Sequence, residues 1–249
     1  MTVLAVYSNK GGVGKTATAV NLAYLSAQSG RPTLICDLDP QSATTFYFRV
    51  TPKLKGKARG LRKAGKAIDR SIKGTNYPDL DLLPGDMTHR HLSITFDQLK
   101  QPQHRLTKIL KPLKSNYDLV ILDCPPTLDL LAENIFQAAD YLLVPVVPTI
   151  LAVRAFHQLR HFLKEEGYKR AKVYAFFSMV EMTNPIHRDQ GLMAYRELPR
   201  ILRSPIPYLP EIEAMGLQRE PVIASDPASA AAQAYQTLWV EIQQRFLSD

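Results

Sequence analysis

Residues 3–29 constrain this chain more than any other stretch. Val3-Leu4-Ala5-Val6-Tyr7 is an apolar run of strand length, and it passes into Asn9-Lys10-Gly11-Gly12-Val13-Gly14-Lys15-Thr16. Thr16 to Ser29 then reads as a helix, with Gly30 placed to cap its end and Pro32 just beyond. A strand, a glycine loop and a helix N-terminus in that order form a nest of backbone N–H groups suited to phosphate. The glycines allow close backbone approach and positive φ. Lys15 is placed to reach the β- and γ-phosphates of a nucleotide, and the Thr16 hydroxyl suits Mg²⁺. The pattern departs from the strict GxxxxGK[ST] form at its first position, where Asn9 stands, and it carries an additional Lys10. At ordinary glycine and lysine usage, such a string arises by chance on the order of once in 10,000 chains of this length.

The remainder alternates between strand and helix patterns. Thr33–Asp37, Leu80–Leu83, Tyr117–Asp123, Tyr141–Val147 and Lys172–Ser178 read as strands. Helical patterns cover His104–Ser115, Ala152–Glu166, Asp189–Leu202 and Pro227–Phe246. The strands are nearly continuous in apolar residues, as parallel strands covered on both faces must be. Alternation of this kind predicts βαβ units. The expectation is α/β: a single three-layer domain over 1–249 with a mostly parallel sheet.

Charge is concentrated rather than spread. Between Lys53 and Lys73 stand nine basic residues and one acid, Asp69, and this segment alone accounts for the formal net charge of +8. We treat residues 52–75 as a basic insertion, with three roles open: a DNA arm, a partner-docking element or a solvated loop. The two cysteines, Cys36 and Cys124, offer neither a disulfide framework nor a paired metal site and read as small buried hydrophobes. No apolar run approaches the ~20 residues that span a bilayer. The start of the chain lacks a signal-peptide pattern, and no helix-turn-helix precedes the phosphate loop. A cytoplasmic protein is expected.

With these motifs in hand, the chain resembles the ParA/MinD group of P-loop ATPases, whose deviant Walker A motif carries the extra lysine found here as Lys10. Asp37-Leu38-Asp39-Pro40-Gln41 looks like the group's second Walker A-type motif and switch I. Leu119 to Pro126 looks like its Walker B strand and switch II. The likeness continues through Asn134, Ala138-Ala139-Asp140 and Val144-Pro145-Val146. It is close over 1–50 and 117–165 and looser elsewhere.

The resemblance implies a P-loop NTPase fold, ATP and Mg²⁺ as ligands, and slow ATP hydrolysis. It gives Gly11, Gly12, Val13, Gly14, Lys15, Thr16 and Ala17 to the nucleotide, and Thr16, Asp37 and Asp123 to the metal. Asp39 would orient or activate the attacking water. Lys10 would reach the nucleotide of a second copy, making ATP the glue of a homodimer. Adenine contacts are expected near Pro207, Tyr208 and Pro210, with Met179 to Asn184 as a further candidate stretch. In that loop the sequence departs from partition proteins, which carry Pro-Arg-Asn and another arginine; Tyr208 and Glu211 stand here instead.

Partners follow in the same way. The group implies non-specific DNA on the nucleoid and a cargo adaptor that stimulates hydrolysis, the cargo being a plasmid, a chromosome region or a protein organelle such as a carboxysome. Candidate DNA contacts are Lys169 and Arg170 at one turn, then Arg188, Arg196, Arg200 and Arg203, with Arg196 and Arg200 expected on one helical face. Two alternatives from other classes remain open. One is a MinD-like switch on membranes; it is disfavoured because the last helix bears an apolar stripe, Tyr235, Leu238, Trp239, Ile242 and Phe246, with one nearby cation, Arg245. The other is a metal-cluster carrier, for which Cys124 lacks a neighbouring cysteine.

Overall fold

The computed structural model of the protein describes residues 1–51, 66–198 and 200–247. The basic stretch 53–65 lies outside the described residues. Its continuation folds: Ile68 is buried, and Lys73-Gly74 forms a short strand.

The phosphate-loop unit is built as its sequence dictates, from β1 (Thr2–Val6) and α1 (Lys15–Gln28). Gly30 follows α1 with φ 75 and donates its N–H to the Ala27 carbonyl, the left-handed exit that glycine permits. The chain continues through β2 (Thr33–Asp37), α2 (Ala43–Tyr47), α3 (Lys66–Asp69), β3 (Lys73–Gly74), β4 (Leu80–Leu83), α4 (Leu92–Asp97) and α5 (Arg105–Leu110). Then come β5 (Leu119–Asp123), α6 (Leu130–Ala138), β6 (Tyr141–Val146), α7 (Ile150–Glu165), β7 (Lys172–Val180) and α8 (Pro185–Glu197). The last elements are β8 (Ile206–Pro207), α9 (Pro210–Gln218), α10 (Val222–Ser225) and α11 (Ala230–Ile242).

The eight strands make one sheet in the order β3-β4-β2-β5-β1-β6-β7-β8, parallel except for β3 against β4. Alternate residues of each central strand feed opposite layers. Val3, Ala5, Val120 and Leu122 pack with α4 to α8, whereas Leu4, Val6, Leu119 and Ile121 pack with α1, α10 and α11. Three layers with a mostly parallel sheet is the expected class.

Two helix expectations need correction. His104–Ser115 is not one α-helix, because Pro112 tightens its second half into a 3₁₀ turn over Lys111–Ser115. The helix expected at Asp189–Leu202 runs instead from Pro185 to Glu197, with the Asn184 side chain accepting the Ile186 N–H and Pro185 in the first turn. Leu198, the residue before Pro199, turns extended (ψ 115), as a residue preceding proline prefers. Ile201 then bridges Ala175 of β7. Arg200 has φ 64 and lies beyond the helix, so it does not share a helical face with Arg196.

The C-terminal stripe is core. Tyr235, Leu238, Trp239, Ile242 and Phe246 are buried, and Trp239 Nε1 donates to Ser29 Oγ at the end of α1 (3.2 Å). Cys36 and Cys124 are likewise buried and unpaired. Leu238→Ala is expected to cost about 2–5 kcal/mol, lowering the melting temperature by roughly 4–20 °C at about 2–4 °C per kcal/mol. Leu217→Ala, at an 89% exposed position, should shift it by about 1–2 °C at most. Calorimetric scans of the two variants check this, and equal shifts would contradict a docked last helix.

Candidate functional site

A cavity of about 620 Å³ opens at the carboxyl edge of the sheet, with the phosphate loop as its floor. Gly11, Gly12, Val13, Gly14, Lys15, Thr16 and Ala17 all line it. Gly14 has φ 83, a conformation that favours glycine, and a Cβ there would stand a tight 3.0 Å from Ser178 Oγ of β7. No side chain caps the N-terminus of α1. The N–H groups of its first turn are therefore directed at whatever enters the loop, where the helix dipole favours an anion.

Lys15 is only 7% exposed, and its ammonium donates to the carbonyl of Lys10 (2.9 Å). Burial lowers its pKa, while Asp123, Cys124 and Asp39 pull the other way. A buried cation of this kind is poised to exchange a weak carbonyl partner for phosphate. Lys10 is half-buried, its N–H donating to Ser8 Oγ (3.2 Å).

The acids converge by strand register. Asp37 ends β2 and Asp123 ends β5, and they are direct partners across the parallel pair. Both are fully buried. Asp37 Oδ2 accepts the N–H (2.8 Å) and hydroxyl (2.6 Å) of Thr45, and Asp123 Oδ2 accepts the Thr44 hydroxyl (2.7 Å). Their Oδ1 atoms have no hydrogen-bond partner. Burial first, and then negative neighbours, raise both carboxyls above the usual range; hydrogen bonds from Thr45 to Asp37, and from Thr44 and Thr16 to Asp123, act in the opposite direction. Two orphaned carboxylate oxygens beside the Thr16 hydroxyl and an open phosphate nest fit Mg²⁺, which takes one or two carboxylates together with phosphate oxygens and water. Asp39 is half-buried on the cavity wall beside Gln41, whose N–H it accepts (2.8 Å).

The far wall joins Met179, Ile206, Pro207, Tyr208, Leu209 and Ile212. Met179 sits at a register shift between β7 and β8 with φ 56. Pro207 and Tyr208 line the cavity as expected; Pro210 instead begins α9, outside the lining.

The basic candidates do not form one patch. Arg170 pairs with Asp140 (2.9 Å) at the amino edge of the sheet. Lys172 and Arg200 lie over Tyr141 and Tyr174, two rings joined through Phe246. Arg203 lies over Tyr195 (4.8 Å). Arg188, near the other end of α8, neighbours Asp189 (3.6 Å); Lys169 and Arg196 are exposed. Among the described residues no helix is long and apolar enough to cross a membrane.

Several site residues escaped the sequence reading: Thr44, Thr45, Tyr47, Ser178 and Gly85. Gly85 packs on Asp37 so closely that a Cβ would stand 2.8 Å from the carboxyl carbon, and its N–H donates to Thr45 Oγ1 (2.8 Å). The Thr44-Thr45 pair next to the Asp37–Gln41 motif was the available signal.

A family model described as "AAA domain" matches residues 1–172. Over 163 residues the chain is 34% identical to the "Chromosome partitioning protein ParA" of Caulobacter vibrioides, covering 64% of this chain and 61%, under two thirds, of that protein. It is 28% identical over 247 residues to the "Sporulation initiation inhibitor protein Soj" of Bacillus subtilis, covering 96% and 97%. A solved structure of a putative plasmid partition protein from Borrelia burgdorferi, bound to AMPPNP, is similar with a TM-score of 0.85 at 20% identity, covering 98% of this chain and 99% of that one. At that identity the likeness shows the fold.

Two outcomes are expected. Lys15→Ala should weaken ATP binding roughly 10- to 100-fold by titration calorimetry, because a charge-assisted contact is worth about 1.5–3 kcal/mol, with the fold intact. Asp123→Asn removes one of two buried like charges and should raise the melting temperature of the metal-free, nucleotide-free protein at pH 8 by about 2–4 °C per kcal/mol of relieved repulsion. A lower melting temperature would refute that account of the pair.

Proposed function

The chain belongs to the ParA/MinD family of P-loop ATPases, and from that premise we propose that it is a Mg²⁺-dependent ATPase that positions or segregates a cargo on nucleoid DNA. The observation that carries the reading is the phosphate loop with its second lysine: the Lys15 ammonium donates to the Lys10 carbonyl and lies near Asp123, one of two half-satisfied acids. Thr16, Asp37 and Asp123 would hold Mg²⁺, whose charge would assist departure of the γ-phosphate. Asp39, on the cavity wall, would align the attacking water. Gly11 to Ala17 would hold the phosphates, and Pro207, Tyr208 and their neighbours would wall in the adenine.

Lys10 would act across a homodimer, adding positive charge at the partner's phosphates as an arginine finger does. Association then depends on ATP, and basal turnover is slow, far below the ~10 s⁻¹ typical of enzymes. Two similar proteins bear names that speak of chromosome or plasmid partition, which supports DNA as the track and an adaptor protein as the trigger of hydrolysis. Lys169, Arg170, Arg188, Arg196, Arg200 and Arg203 remain the DNA candidates, with Arg200 favoured because it and Lys172 lie over neighbouring rings, Tyr174 and Tyr141, joined through Phe246. As a DNA arm, one of the three roles open to it, the basic segment 52–75 would add contacts. The reading implies a cytoplasmic, nucleoid-associated protein; the buried apolar stripe of α11 speaks against its use as a lipid anchor.

Fluorescence anisotropy with a labelled duplex at ~100 mM salt, where screening extends about 10 Å, tests the switch. Binding should require ATP, persist longest in Asp39→Ala, which would bind but not hydrolyse, and fail in Lys10→Ala. Equal affinity with ATP, ADP or no nucleotide would remove the DNA switch, and co-sedimentation with anionic vesicles instead would favour the membrane reading.

A further inference from the structure

Helix α2 meets the end of α9 through two arginines that serve each other's backbone. Arg219 Nε donates to the Phe46 carbonyl (3.0 Å), and its guanidinium lies 4.3 Å from the centre of the Phe46 ring. Arg49 Nη2 donates to the Gln218 carbonyl (2.7 Å) and to Glu220 Oε1 (2.9 Å). Both arginines have left-handed backbone, with φ 57 at Arg49 and 55 at Arg219. Arg219 closes α9 where glycine is the ordinary choice. An L residue held in that region needs compensating contacts, and the Phe46 carbonyl and ring supply them.

What α2 carries gives the clasp its meaning. Thr44 and Thr45 hold Asp123 and Asp37, and Tyr47 lines the cavity. From the other side α9 contributes Ile212 and Glu213 to the same lining. The two arginines therefore tie the helix that holds the acid pair, and that lends Tyr47 to the cavity, to the cavity's far wall. Arg49 and Glu220 are 48% and 34% exposed at their side chains, so the ion pair is screened and readily broken.

We propose that Arg49 and Arg219 are positioning residues for nucleotide retention: their clasp holds α2 down on Asp37 and Asp123, and bound nucleotide leaves when the clasp opens. The inference rests on reading the cavity as a nucleotide site. Release of a fluorescent ADP from the full chain, followed by stopped flow with Mg²⁺ present, tests it. Arg219→Gly is the informative variant, because glycine tolerates the left-handed backbone and loses only the side chain. It should release ADP faster, and the Arg49→Ala/Arg219→Gly pair should do so by about tenfold, the combined size of a weak ion pair and a cation–π contact. Association rates should stay within about twofold, and the melting temperature of Arg219→Gly should not fall, so that a general loss of structure is separated from a loss of retention. Wild-type release rates in the double variant would overturn the proposal. If the unaltered protein fails to hold ADP, the nucleotide reading itself falls. Amide exchange over 43–49 in the nucleotide-free chain then decides the clasp: faster exchange in Arg219→Gly supports it, and unchanged exchange overturns it.

Discussion

Burying Asp37 and Asp123 side by side at the ends of β2 and β5 sets the terms for everything around them. Strand register makes them direct neighbours, and the absence of solvent leaves their repulsion poorly screened. Such a pair is tolerated where donors are brought to it. Thr44 and Thr45 do so from α2, and the missing side chain of Gly85 lets the β4 exit loop close over Asp37. At five residues, α2 is too short to be stable alone. It exists as a cap on the acids, held outside by Arg49 and Arg219. The oxygens that remain unpartnered fit the donor set a divalent cation takes.

The opposite wall depends on a second buried polar group. Asn21 is wholly buried in α1; its amide donates to the Ala17 carbonyl and contacts the Met215 sulfur, and its oxygen accepts the Val222 N–H (2.9 Å). This links α1 to α9 and α10, some 200 residues along the chain. Below it, Tyr235, Leu238 and Trp239 of α11 fill the layer between α1 and the sheet's far strands. The cavity wall formed by Tyr208, Leu209 and Ile212 thus has its position relative to the phosphate loop set by packing against α1 itself. Closure of the pocket by the C-terminal region is the structural reason that the last helix belongs to the core.

The legible parts were those governed by local chemistry. The loop Gly11 to Thr16, strands Thr33–Asp37 and Leu80–Leu83, and the apolar stripe of the last helix follow from spacing and side-chain type. The bounds of α8 follow from the Asn184-Pro185 start and the Pro199 stop, both displayed in the sequence, rather than from Asp189 and Leu202. Thr45 stands eight residues from the Asp37 it meets, so the sequence carries a signal for it; nothing local reveals that Thr44 meets Asp123 of another strand.

By itself the sequence determined that a phosphate nest would form between a buried strand and a helix, since a glycine loop with Lys15 and Thr16 needs only local backbone geometry. It also determined a parallel sheet covered on both faces, because strands apolar on every residue can be buried no other way. Tertiary structure alone decided that Asp37 and Asp123 stand in register and that Arg219 reaches Phe46. It alone decided that Arg200 and Lys172 meet around one aromatic cluster. Those pairings span from 28 to 173 residues of chain, and over such separations neither propensity nor periodicity carries information; only the order of strands in the sheet does.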